Sequence, residues 1–334
     1  EDLALTTNAT QLARHAQALR TAGLRRVTVS LDSLRPERFL QLARRDAHTQ
    51  VIEGIRAAAA VGALVALDMA MFLICTEIAL LPLFLLIGVW GGDGRVSAAV
   101  KFALSNLAGS TLIFAAIVYL GVLQIDLDGP RSFAFAHLAK LSLAPQAEFW
   151  LLVGMLIGFA MKAALFPLHS WLADLHRQAN TAASIAVNGI WLNLGLYGIL
   201  RVCLPLFSET VQQIDQYLAL LAVVATVYGG MLAWSAAELP RLLAFVSIGQ
   251  VGFVTLGFAS LTVSGVSGGV VHMVSRALVM TGLFVIVGIL RARGLTEATG
   301  LSKKSPWTCG VLLVFTIAAV GVPGSSLFVG AFTV

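Results

Sequence analysis

Among the ionisable residues inside apolar runs of this 334-residue chain, Glu77 and Lys162 come first. Glu77 sits in LICTEIALLPLF and Lys162 in GFAMKAALFPLHSWL. A charge is costly in such surroundings, so each is a functional candidate that needs a partner. A carboxylate and an ammonium that face each other can both stay charged, and separating them changes both proton affinities. That is the chemistry of a proton-transfer switch, although a static pair locking two helices would use the same residues. Pro167 lies shortly after Lys162 and breaks the helix beside it, freeing backbone groups next to a charge. His169, Asp174 and His176 then form a polar mouth, in which His169 suits a cap or an interfacial position equally well. HxxxxDxH is weak as a metal motif. The cysteines Cys75, Cys203 and Cys309 are far apart in apolar runs, and no metal site is expected.

The elements that must position this pair are membrane helices. The chain is 58% hydrophobic and 12% charged, against about 25% charged in an ordinary soluble chain. Spanning a hydrocarbon core takes about 20 mostly apolar residues. Eight such runs occur, near 62–89, 102–123, 147–166, 183–205, 215–235, 241–260, 268–290 and 308–333. Helices follow because each backbone group must find its partner within the segment. The short alternating strands of a membrane barrel are not seen. Loops after the odd-numbered runs carry Arg95, Lys101, Arg177, Arg241, Arg291, Arg293, Lys303 and Lys304, whereas the others carry little beyond Arg131 and Lys140. The first set is therefore cytoplasmic, and the chain reads as a multi-pass protein of the inner (cell) membrane.

Residues 1–60 differ. They hold nine Arg and six acidic residues, yet the loop alternation places them outside. The net charge of +5 is mostly surplus Arg without interleaved aromatics, so no nucleic-acid partner is expected. LALTTN suits a strand end and residues 10–22 a helix with Leu12, Ala16 and Leu19 on one face. Gly23 stops that helix, RRVTVSLDS is a second strand, and 35–60 is mostly helix. This single α/β unit is too small to bury a parallel sheet alone. The polar opening EDLALTTNAT shows no leader pattern and no initiator Met, which suggests a fragment.

LTTNATQL, AGLRRVTVSLDSL and VIEGIRAA resemble the GTP 3′,8-cyclase family of molybdenum cofactor biosynthesis, radical S-adenosylmethionine enzymes. The resemblance implies that Thr6 would touch the nucleotide and Ser30 the S-adenosylmethionine. The family has Gly where this chain has Ala9, and its cluster-binding cysteine triplet is missing. Without cluster thiolates nothing delivers the electron that cleaves S-adenosylmethionine, so 1–60 is expected to be a catalytically dead, partial fragment.

Residues 62–334 resemble the proton-translocating membrane subunits of complex I, most closely subunit M, a module shared with Mrp-type antiporters and membrane-bound hydrogenases. The resemblance rests on TEIALLPLFLLIGVWGG (76–92), AAVKFALSNLAGS (98–110), FAMKAALFPLHSWLADLHRQANTAAS (159–184), LYGILR (196–201), ELPRLLAFVSIGQVGFV (238–254), ALVMTGLF (277–284) and VGVPGSSLFVGAF (320–332). It implies that Glu77 and Lys162 are the proton-transfer pair, and that this domain is incomplete at both ends. The family's next lysine falls on Asn193, which cannot titrate. Family histidines fall on Gln250 and Arg276, and His272, one turn before Arg276, could substitute. A family glutamate falls on Ala331, and an Asp and a Lys have become Glu238 and Pro240.

The function so implied is proton translocation in an NADH:quinone oxidoreductase-like complex. Its partners would be other membrane subunits and the lipid bilayer, with quinone met only through partner subunits. No cofactor is expected, because no quinone, flavin or nicotinamide motif is visible and no GxGxxG follows a strand. The alternatives are a hydrogenase-associated or Mrp-type cation/proton antiporter subunit, a non-conducting structural subunit, and a vestigial cyclase. Small-residue stretches such as SGVSGGVV (264–271) suit close helix packing.

Overall fold

A computed structural model describes residues 3–7, 12–21, 24–29, 48–124, 132–295 and 301–334. Its first part follows the expected strand–helix–strand–helix order. β1 (Leu3–Thr7) and β2 (Leu24–Val29) pair in parallel, with α1 (Leu12–Thr21) between them in the chain. Leu12 of α1 packs against Val51 of α2 (His48–Val65), with Leu19, Val29 and Ile55 around them. The Ala-rich stretch of α2, AAAAVGALV, has high helix propensity, and the helix runs unbroken through residue 61. Its second half packs on the next helix at Gly62, where an added Cβ would lie 2.9 Å from Cys75 Sγ. The first apolar run is thus two helices rather than one. They are separated by a turn at Ala66 and by Asp68, which accepts from the Met71 amide at 3.0 Å.

Seven helices among the described residues are long and apolar enough to cross a membrane. They are α3 (Met69–Trp90), α4 (Arg95–Leu123), α5 (Pro145–Ala163), α7 (Thr181–Leu206), α8 (Ser208–Ser235), α9 (Leu239–Ala259) and α10 (Val263–Ala292). The protein is an all-α polytopic membrane protein over this region. Between α5 and α7 lies the short α6 (Ser170–Gln178). The eighth apolar run resolves into α11 (Pro306–Val320) and α12 (Ser326–Thr333). Gly321 and Gly324, both at positive φ, carry the turn between them.

α9 forms the centre of the bundle: 78% of its apolar window is buried, against 22% for α8 at the edge. The two meet through small residues, since a Cβ on Gly229 would fall 2.5 Å from the Gly249 amide. Gly265, Gly268 and Gly269 of the small-residue stretch likewise receive α9 and α12 closely, with a Cβ on Gly268 reaching within 3.0 Å of the Gly330 carbonyl. Leu104, Phe114, Trp150, Leu220 and Trp234 project outward, as lipid-facing side chains do.

The loops expected on the cytoplasmic side converge on one end of the bundle. Gln178 accepts from the Gly92 and Gly94 amides at 2.7 and 3.0 Å through its backbone and side-chain oxygens. Arg291 donates to the Ala179 and Arg177 carbonyls, and Arg177 pairs with Glu238 at 3.3 Å. Arg131 lies outside the described residues.

Candidate functional site

Glu77 reaches the bundle interior from the middle of α3, and Lys162 from the last turn of α5. α5 stops because Ala164 turns left-handed (φ 54) and Pro167 cannot continue the helix. The Phe166–Pro167 peptide is cis. The freed backbone groups find partners: Leu165 N–H donates to Ala160 at 3.0 Å, and the Trp171 indole donates to the Met161 carbonyl at 3.1 Å. The expected break therefore lies directly beneath Lys162, and α6 resumes at Ser170.

Lys162 is 1% exposed at its side chain. Its Nζ donates to Glu77 Oε1 at 3.0 Å and to Ser110 Oγ at 2.6 Å. Ser110, on α4, has two acceptors within reach of its single hydroxyl proton, Glu77 Oε1 and the Asn106 carbonyl (2.9 Å). The hydroxyl therefore links ammonium and carboxylate and can turn between acceptors. The Trp191 ring lies beneath the ammonium, with its centroid 5.2 Å away. Trp191 donates to Asn106 Oδ1 at 2.9 Å, and Asn106 donates to the Phe102 carbonyl at 2.8 Å.

A second polar group surrounds Arg276 of α10, which is fully buried. Its Nη2 donates to Asn193 Oδ1 at 2.5 Å, and Asn193 donates to the Gly189 carbonyl. Arg276 Nε and Nη1 have no protein partner among the described residues. His272 does lie one turn away, buried and packed at 5.0 Å on Phe253. Gln250 and His272 line one cavity of about 280 Å³ together with Thr226, Phe253, Gly321 and Ala331. Gln250 also donates to the Ala319 carbonyl at 3.3 Å.

The structure thus unites Glu77 with Lys162, Asn193 with Arg276, and Gln250 with His272. His169 joins none of these pairs; it stacks on Phe166 and meets the edge of Tyr228. Thr6 lies in β1, and Ser30 falls outside the described residues. The expected mouth of His169, Asp174 and His176 does not form: Asp174 is half-exposed and pairs with Lys101, whereas His176 is fully buried, its Nε2 meeting Asn188 Nδ2 at 2.6 Å while Ser247 donates to Asn188 Oδ1 at 2.6 Å. Asn188 and Trp191 both belong to a π-helical turn, Val187–Trp191, inside α7. Such turns are frequent at functional sites, but no residue pattern in VNGIW announces one.

Comparison with known proteins follows the same segment. The family model described as NADH:quinone oxidoreductase/Mrp antiporter, TM matches residues 66–334. The NADH-quinone oxidoreductase subunit M of Rickettsia typhi is 34% identical over 278 residues, covering 81% of this chain and 55% of that protein. The chain spans about half the length of the curated relatives it matches. Among solved structures, respiratory complex I from Thermus thermophilus superimposes with a TM-score of 0.77 at 30% identity, covering 88% of this chain and 64% of the other. The Mrp complex from a Dietzia species shares the fold, with a TM-score of 0.79 at 20% identity, covering 97% and 58%.

Proposed function

The chain belongs to the NADH:quinone oxidoreductase/Mrp antiporter transmembrane family, and from that premise we propose that it is a proton-translocating membrane subunit of an NADH:quinone oxidoreductase-like complex. The observation that carries this reading is the buried Lys162 ammonium, held at 3.0 Å by Glu77 and bridged by Ser110 directly above a helix break. While both groups are charged the pair is neutral as a whole and tolerates burial. When Glu77 takes up a proton, the ammonium loses its counter-charge and either moves or gives up its own proton. Ser110 offers a hydrogen-bonded step between the two. The break sets the ends of α5 and α6 beside the charge, an arrangement that ion sites in transporters use repeatedly.

In this reading redox chemistry, and contact with quinone, belongs to partner subunits in the inner membrane. Residues 1–60 form part of a cyclase-like α/β unit in this reading, which the parallel β1–β2 pair supports. A non-conducting structural role is the second reading, favoured by one observation: the cation at the second polar group is an arginine bonded to an amide. Arginine does not deprotonate in proteins, so this station cannot store and release a proton. Reconstitution into liposomes with an entrapped pH-sensitive dye separates the two. Proton flux above that of protein-free liposomes is expected, falling to the protein-free level in Glu77→Gln and Lys162→Met. A flux unchanged by Glu77→Gln would sink the conduction reading.

A further inference from the structure

We propose that the indole face of Trp191 is a second seat for the Lys162 ammonium, occupied when Glu77 is neutralised. The proposal rests on the proton-transfer reading above for its consequence in transport, but its geometry stands by itself. Nζ of Lys162 already lies 5.2 Å from the Trp191 ring centroid while it bonds Glu77. A cation within about 6 Å of an aromatic centroid is attracted by the ring quadrupole, most strongly for tryptophan and most strongly away from water. Trp191 is 2% exposed. The ammonium thus stands between an anion that can be protonated and an electron-rich face that cannot.

The ring is built into place. Its N–H is committed to Asn106 Oδ1 at 2.9 Å, Asn106 is itself fully buried, and Phe102 meets the indole edge-on at 5.6 Å. The indole therefore does not turn away when the lysine moves. It also closes the π-helical turn Val187–Trp191 of α7. On either side of it, Asn188 faces His176 and Ser247, whereas Asn193 faces Arg276. The lysine seat is thus on the helix that also touches the Arg276 group and the His176–Ser247 group.

The consequence is directional. With Glu77 charged, ion pairing holds the ammonium on the α3 side. Once Glu77 is protonated, Ser110 and the apolar lining are poor company for a cation, and the indole becomes the better seat. Trp191 accepts no proton, so it keeps the charge on Lys162 and on the α7 side. It is a positioning residue, not a proton carrier.

The test uses the full chain labelled with 5-fluorotryptophan in lipid nanodiscs, with the Trp191 resonance assigned by its loss in Trp191→Phe. Glu77→Gln is expected to shift the Trp191 fluorine resonance, and Glu77→Gln/Lys162→Met to abolish that shift. A resonance unmoved by Glu77→Gln, or moved equally in the double variant, overturns the seat. In liposomes, Trp191→Phe keeps an aromatic face and should lower flux by about threefold, whereas Trp191→Leu should lower it by about tenfold or more. Equal losses in Phe and Leu would reduce Trp191 to a packing residue and also overturn the proposal. If the wild-type chain passes no protons, the transport reading fails, and the fluorine shift still decides the seat.

Discussion

Two buried cations divide the membrane part of this chain. Lys162 stands in the first half, paired with a carboxylate and bridged by a hydroxyl. Arg276 stands in the second half, bonded to the amide of Asn193, with Nε and Nη1 lacking a protein partner among the described residues. Both are fully buried, and both are served by the helix α7, through Trp191 in one case and Asn193 in the other. In the proposed reading the first arrangement exchanges a proton, because it joins a carboxyl group and an amine. The second cannot, because neither guanidinium nor amide titrates. The halves share a design of helix and polar contact but differ in whether the contact can change.

The difference should appear first in stability. Removing the acid from a buried pair leaves an uncompensated charge, so Glu77→Ala should destabilise the chain by about 3–5 kcal/mol. Glu77 keeps 30% of its side-chain area exposed, which places the effect at the lower end. The opposite sign is expected in the second half. Asn193→Leu/Arg276→Met removes both partners and fills their volume with apolar atoms, an exchange that is neutral or stabilising by about 1–4 kcal/mol in comparable cases. Unfolding in mixed detergent micelles measures both. Equal destabilisation by the two changes would mean that Arg276 is as well compensated as Lys162, and the contrast would collapse.

A smaller effect tests the packing that holds the first half together. A Cβ on Gly195 of α7 would fall 2.5 Å from the Ala163 amide, immediately beside Lys162. Gly195→Ala should therefore cost about 1–3 kcal/mol through overpacking and lower proton flux with it. Gly154, on the same α5, has open space where its Cβ would stand. Gly154→Ala should instead gain up to about 1 kcal/mol from helix propensity. If both changes act alike, the close α5–α7 approach is not what fixes Lys162.

Much of this contrast was legible in the residues. Glu77 and Lys162 drew attention because charges are rare in apolar runs, and Pro167 fixed the break by removing a donor. The spans followed from run length. The failures were tertiary. Ser110 and Trp191 look like ordinary members of membrane helices, and Trp191 differs from the outward-facing Trp150 only in what lies opposite it. The Asn193–Arg276 contact joins residues 83 apart, which periodicity cannot pair. The last run reads as one span although GVPGSS holds the turn signal, since its mean apolarity hides a two-glycine corner. The first run reads as starting near 62, whereas α2 begins at His48 and enters it from the polar side, because alanines suit both environments.

The smallest expected effect concerns charges that lie outside the apolar core. Lys101 pairs with Asp174 at 2.6 Å, linking α4 to α6, the helix after the break. The distance is as short as that between Lys162 and Ser110, so distance alone would rank the contacts together. Exposure separates them: the two side chains are 57% and 49% exposed. Water and salt screen such a pair, and holding two long side chains in one geometry costs entropy. Lys101→Met should therefore change stability by no more than about 1 kcal/mol, with the change shrinking as salt is raised. A salt-independent loss comparable to that of Glu77→Ala would show that α6 is clamped by this pair. α6 would then be held at its middle by Asp174 as well as at its end by Gln178, and the difference between the two halves would lie in their chemistry alone.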